Sequence, residues 1–471
     1  MYKKFAVLSL ALCWGAVAAE PARSVHDQKA REIYAKVISI STELGRGKVP
    51  EMAEYLAGEF RAAGFPDKDI TILPFKGPGD ATASLVVRYK GKGQGKDNRK
   101  PIVLIAHMDV VTAKRADWER DPYTLVEENG YFFGRGTSDD KQGVVAITSA
   151  LLRLKAEKFV PSRDLIAYFS GDEETAQAST IDAVKNHREL IDAEYALNAD
   201  AGGGALDEKT GKPLYFALQT AEKTYTDFTL TARNPGGHSS QPRADNAIYE
   251  LAAALGRLSQ VQPPVMSNET TLAALAMAGK QMPPGELGTA LKNFAANPKD
   301  AAAAEIISKS PSYVGQIRTT CVATTLAGGH ATNALPQSAS ANVNCRVFPG
   351  VKIDDVRLWL QKVVGDGISV KLEGETLSSD PSPLRQDVLK AVTRAVHAIH
   401  PDSPVVPAQT SGATDGLVFR AAGIPTYGVD GNFSKGSDEF SHGLNERLPV
   451  QSFYDSLTFW HVLLTDLAGK R

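Results

Sequence analysis

The chain has 471 residues, 43% hydrophobic and 23% charged, with 40 glycines and 26 prolines, proportions that exclude wholesale disorder, collagen and coiled coil. Its 52 Lys and Arg against 54 Asp and Glu leave a net charge of -2, so no overall basic field draws in nucleic acid or an anionic membrane. At roughly 100–200 residues per domain, this length predicts two or three domains.

Lys3 and Lys4 precede an apolar stretch from Phe5 to Val17 and then small residues, the pattern of a secretory leader cleaved after Ala18 or Ala19. The segment 1–19 is therefore expected to be removed, leaving a secreted or periplasmic protein. The apolar run is shorter than the ~20 residues a membrane span needs, so no membrane association is expected after cleavage. Cys13 follows Leu12, a bulkier residue than lipidation sites carry.

Apolar residues at helical spacing then run from His26 to Phe65. Strands are predicted at ITILPF, ASLVVRYK and PIVLIAHMDVV, the last an unbroken apolar run suited to burial on both faces. The Gly-rich basic stretch Lys90 to Lys100 reads as a solvated turn. A loop, GRGTSDDKQG, leads into the helix VVAITSALLRLKAEKF, and the strand DLIAYFS, a helix and the strand YALNAD follow. This alternation predicts an α/β domain with a mostly parallel sheet flanked by helices.

From Leu214 the pattern becomes that of an inserted α+β domain: alternating strands, a helix from Asn246, an Ala-rich helical stretch from Ser267 to Ser312, and two cysteine-bearing strands. Cys321 and Cys345 sit symmetrically about Asn333, as in a hairpin; a disulfide and two buried thiols both fit. After Pro349 the α/β character returns. The expected divisions are a leader at 1–19, a catalytic domain at 20–213 and 350–471, and the insertion at 214–349.

The chemistry-bearing residues share a position. His107 and Asp109 end one predicted strand, Asp139 and Asp140 precede a helix, Glu173 and Glu174 follow a strand, and Asp200 ends another; His442 lies in SDEFSHGLNERLP. Ligands in open α/β sheets gather at such strand ends. Singly, Asp139 could cap a helix and Glu173–Glu174 could be solvated. Together they make the carboxylate and imidazole mixture that zinc accepts. Three carboxylates, Asp139, Glu174 and Asp200, with one bridging hydroxide would balance two divalent cations, and His107 and His442 would bind as neutral ligands. Asp139, in the loop between the others, is the expected bridge.

The set AHMD, GRGTSDDKQG, GDEET, NAD, GGHSS and SHGLNE resembles the co-catalytic zinc hydrolases that include aminoacylase, carboxypeptidase S, glutamate carboxypeptidase and succinyl-diaminopimelate desuccinylase. The wording near the C-terminus is most similar to the carboxypeptidase S branch. The resemblance implies two divalent metals, zinc first with cobalt or manganese sharing such ligands. It makes His107 and Asp200 terminal ligands, Glu174 and His442 ligands, Glu173 the general base, and Asp109 the residue orienting His107. The family's Asp, any residue, Lys, Gly is one residue longer here, Asp139 to Gly143, which leaves Asp140 as an alternative bridge. The resemblance also gives His238 an oxyanion role, often exercised on a partner subunit, and matches Arg346, Asn333 and Gly412 to substrate binding. It implies hydrolysis of dipeptides or C-terminal residues of short peptides, with N-acyl amino acids as the alternative substrate, and allows a homodimer through the inserted lid domain. No HExxH helix, GxSxG elbow or phosphate-binding loop competes. A catalytically silent binding protein on this fold is disfavoured because all five ligands and the base are present.

Overall fold

A computed structural model describes residues 23–77, 79–92, 99–374 and 376–469. The leader expected at 1–19 and part of the basic turn lie outside the described residues. Among those described, no helix is long and apolar enough to cross a membrane.

The central sheet has ten strands. Across it lie Ile70–Lys76, Ala81–Tyr89, Leu165–Ser170, Ile102–His107, Tyr195–Asn198, Thr426–Gly428, Pro213–Glu222, Gly203–Leu206 and Phe433–Ser434, with Val405–Thr410 pairing beside Pro213–Glu222. Its middle is parallel, Leu165–Ser170, Ile102–His107, Tyr195–Asn198 and Thr426–Gly428 running together. Antiparallel pairs extend it on either side.

The unbroken apolar strand has the burial its composition calls for. Ile102, Leu104 and Ala106 pack against the helices Val25–Ser39, Lys141–Ala156 and Val450–Ala468, while Val103 and Ile105 pack on the other face with Ala183 and Phe419. The first of these helices is fixed by a capping box: the Asp27 N–H donates to Ser24 Oγ and the Ser24 N–H donates to Asp27 Oδ2, both at 3.1 Å.

The inserted domain is a four-stranded antiparallel sheet, ordered Thr320–Gly328, Ser338–Val347, Thr224–Arg233 and Ile368–Glu373. Phe228, Leu230, Val343 and Cys345 on one face pack under the helices Ala247–Ser259 and Ile353–Val364. Cys321 and Cys345 are direct cross-strand partners joined by a disulfide.

The insertion's boundaries differ from the expected 214 and 349. Pro213–Glu222 pairs in parallel with Val405–Thr410 and so belongs to the catalytic sheet, whereas Ile353–Val364 and Ile368–Glu373 belong to the inserted domain. Alternation shows that a strand is half-buried, not which sheet it joins. The Ala-rich stretch forms three helices, Glu269–Gln281, Glu286–Ala296 and Ala301–Ser308, around Leu275, Leu291, Phe294 and Ile307. The first of them packs against Val405–Thr410 of the catalytic sheet and the other two stack on it in turn, while the lid's edge strand Thr320–Gly328 is exposed along most of its length.

Candidate metal centre

Parallel strands and the loops after them deliver the predicted residues to one point. His107 is the last residue of its strand, Asp200 follows Tyr195–Asn198, Glu173 and Glu174 follow Leu165–Ser170, and Asp139 precedes the helix Lys141–Ala156. His107 Nε2 lies 3.0 Å from Asp139 Oδ1 and 3.8 Å from Asp200 Oδ1. His442 Nε2 lies 3.1 Å from Asp139 Oδ2 and 2.9 Å from Glu174 Oε2. Asp139 thus reaches one histidine with each oxygen, with His107 and Asp200 on one side and Glu174 and His442 on the other.

Asp140 is placed differently. It is buried, and its Oδ2 accepts the His107 backbone N–H at 3.2 Å, while Oδ1 has no hydrogen-bond partner. Gly143 makes room for it: a Cβ there would stand 2.2 Å from Asp140 Oδ1 and 2.7 Å from the Ala199 methyl. The motif glycine is a packing requirement beneath the cluster.

Asp109 acts in two ways. Its backbone carbonyl accepts from His107 Nδ1 at 3.0 Å, which fixes the ring so that Nε2 faces the carboxylates. Its carboxylate stands 3.6 Å from Nδ1 and accepts the backbone N–H groups of Glu173 and Glu174 at 3.1 and 3.0 Å. One residue thereby couples two strand ends.

A further carboxylate, absent from the sequence reading, holds the loop that carries Asp139. Fully buried Glu446 accepts the N–H groups of Ser138 and Asp139 on Oε1 at 2.7 and 3.0 Å, and that of Gly136 on Oε2 at 3.0 Å. Buried Arg135 neutralises it at 2.7 Å. Removing one member of a buried pair typically costs about 3–5 kcal/mol. Glu446→Ala is accordingly expected to lower the thermal unfolding midpoint and the metal content together; unchanged metal content would show that the loop does not need this anchor.

The cluster's charges are mutually dependent. His442 is pushed up to about 10 by its bonds to Asp139 and Glu174. Burial opposes protonation of His107, but Asp109, Asp139 and Asp200 outweigh it and raise its pKa well above the usual value. Burial and then the Asp200 charge push Glu173 well up, and burial raises Asp200 to about 7. Protons therefore sit where the donor lone pairs converge, the behaviour of a site built for cations.

The donor set fits two divalent metals. Ligand atoms of His107, Asp139 and Glu174 lie within 4.8 Å of one another, as do those of His107, Asp140 and Asp200. Because the histidine pKa values are raised, metal must displace protons at neutral pH, and affinity should climb as pH rises toward those values. Zinc titrations in buffers of different ionisation heat are expected to register proton release; none at pH 7 would contradict this.

Asp139, Glu174, Asp200 and His442 line a cleft of about 540 Å³ between the two domains, with Glu173 beside them and with Tyr225 and Asp227 of the inserted sheet also in its lining. Glu173 Oε1 accepts from Gln177 Nε2 at 2.9 Å. Arg346 donates from Nη1 to the Ser411 carbonyl at 2.8 Å and lies over the Tyr225 ring, 4.7 Å from its centroid. Gly412 is exposed in the next position. His238 and Asn333 are not brought to this cleft. They meet on an exposed two-stranded pairing, where the Asn333 carbonyl accepts the Ser239 N–H at 3.1 Å and His238 Nδ1 accepts the Ser240 N–H at 3.1 Å.

The fold and cluster define a metallopeptidase and amidohydrolase class, and the sequence profile of peptidase family M20/M25/M40 matches residues 103–466. The chain belongs to that family. It is 30% identical over 387 residues to the N-fatty-acyl-amino acid synthase/hydrolase PM20D1 of Homo sapiens, covering 78% of this chain and 74% of that protein. It is 28% identical over 398 residues to the probable carboxypeptidase S-like 2 of Dictyostelium discoideum, covering 82% and 74%. Among solved structures, the M20 family metallo-carboxypeptidase Sso-CP2 from Sulfolobus solfataricus shares the fold with a TM-score of 0.65 at 17% identity, over 93% of this chain and 99% of that one. The di-peptidase Dug1p from Saccharomyces cerevisiae does so with a TM-score of 0.62 at 17% identity, over 94% and 96%.

Proposed function

We propose that this enzyme hydrolyses the amide bond between an acyl group and an amino acid whose α-carboxylate is free. Its substrates are short peptides, dipeptides included, that lose their C-terminal residue, and N-acyl amino acids. The observation that carries this reading is Asp139 set between His107 and His442 with Glu173 in the same cleft. The names of the human and Dictyostelium relatives support the two acyl types, which share the same departing group.

His107, Asp200, Glu174 and His442 would hold two divalent metals with Asp139 between them, zinc suiting this nitrogen and oxygen set. When bound, such a pair supplies an acidified water and a polarised carbonyl. Glu173 takes the water's proton as the C–O bond forms at the amide carbon, then returns it to the amine nitrogen as the C–N bond breaks. Arg346 and the Gly412 backbone N–H hold the substrate's carboxylate end. His238 stabilises the developing oxyanion in the cleft of a second copy, and Asn333 joins it in that cleft; their exposure away from their own chain's metals supports a homodimer, as do the bare edge strand and its exposed Val322 and Leu326.

Export to the periplasm or medium is part of the same reading, supported by the leader pattern and by the Cys321–Cys345 disulfide. The direct test uses purified protein, an N-acyl amino acid, its carboxamide and a dipeptide, before and after chelation. Chelator-sensitive cleavage of the two free acids is expected. Cleavage indifferent to the chelator, or no cleavage of any free acid, would overturn the reading.

A further inference from the structure

Lys223 joins the catalytic strand Pro213–Glu222 to the lid strand Thr224–Arg233, and it is 1% exposed. Its Nζ donates to the Arg318 carbonyl at 2.9 Å and to Thr320 Oγ1 at 3.2 Å. An ammonium has three N–H donors, so one is left over. Lys223 makes no ion pair to a carboxylate among the described residues. A buried cation without a counter-charge is costly, and here burial and then Arg346 push the ammonium down to about 7.

The lid register explains why the two cations are neighbours. Tyr225, Arg346 and Thr320 stand opposite one another on three adjacent strands, on the face away from the lid's helices, and Lys223 reaches Thr320 from two residues before Tyr225. Tyr225 and Asp227 on that face line the catalytic cleft, as does Ala413, two residues beyond the Ser411 carbonyl that Arg346 holds. Of the carboxylates on this face, Asp227 is engaged by Tyr225 Oη at 2.7 Å, Asn342 Nδ2 at 2.8 Å and Asn344 Nδ2 at 3.0 Å, and Glu373 opposite it by Lys371 Nζ at 3.1 Å. The lid end of the cleft therefore sets Arg346, with Lys223 buried behind it, opposite a carboxylate-rich metal end.

We propose that Lys223 is a specificity-determining residue that works with Arg346 to select substrates bearing a carboxylate on the departing amine. The inference rests on the proposed reading that this carboxylate is free. Arg346 meets the anion, and Lys223 supplies the second positive charge behind it that an uncharged end cannot exploit.

The test compares kcat and KM for N-acetylmethionine and N-acetylmethionine carboxamide in the wild-type enzyme, Lys223→Met and Lys223→Arg. Lys223→Met is expected to raise KM for the acid about tenfold or more, to leave its kcat within about twofold, and to leave the carboxamide unaffected; Lys223→Arg should restore the acid's KM. Equal losses on acid and carboxamide would reduce Lys223 to a strut and overturn the inference. Should Lys223→Met fail to fold, Lys223→Gln, which can still donate to Arg318 and Thr320, carries the same comparison. A wild-type enzyme that cleaves both substrates equally overturns the free-carboxylate reading itself, whereas discrimination that survives unchanged in the folded variant overturns only the role of Lys223.

Discussion

Glu173→Gln is expected to lower kcat by about 10²–10⁴-fold while the protein keeps its full metal content. Both halves of that expectation come from its position. Glu173 lines the cleft next to Asp139, Glu174 and Asp200, yet the contacts drawing the two histidines to the cluster are made by its neighbours. Its backbone is held by Asp109 and its Oε1 by Gln177, contacts that a glutamine side chain of the same shape preserves or nearly preserves. The change removes the proton acceptor and little else. Turnover and metal content measured on the same preparation decide it: activity within about tenfold of wild type would place the base elsewhere, and loss of a metal would make Glu173 a ligand.

Mixing two inactive variants should restore activity. His238→Ala alone is expected to lose about 10²–10³-fold, in line with removal of an oxyanion donor. If His238 serves a second copy's cleft, a dimer of a Glu173→Gln chain and a His238→Ala chain holds one complete site, in which the second chain's Glu173 meets the first chain's His238. Random exchange of equal amounts makes half the dimers mixed, each with one working site of two, so recovery should approach about a quarter of wild-type activity. A histidine acting on its own chain's metals gives no recovery. The exposed placement of His238 and Asn333 motivates the trans arrangement.

The metal cluster was legible because parallel sheets put ligands at strand ends, and buried strands announce themselves as unbroken apolar runs: Ile102–His107 and Leu165–Ser170 are buried throughout. Asp139 and Asp140 could not be told apart by spacing. In the folded chain one carboxylate spans two histidines and the other accepts a backbone N–H above Gly143. Glu446 left no sequence signal beyond lying four residues after His442, because a lone glutamate in a loop reads as solvated; its partners, Arg135 and the 136–139 loop, are more than 300 positions away. Lys223 was hidden for a related reason. It precedes an alternating strand where lysine is ordinarily exposed, and its burial depends on Arg318 and Thr320 arriving from the far side of the insertion.

The arrangement of Asp139 between two histidine-carboxylate pairs is tested most directly by zinc content after chelation and stepwise reloading, with activity followed at each step. Two zinc ions per wild-type chain, with activity restored on reloading, and a drop in zinc content in Asp139→Ala are the predicted result. A single ion at full activity, or two ions retained in the Asp139→Ala chain, would contradict a centre bridged by this residue.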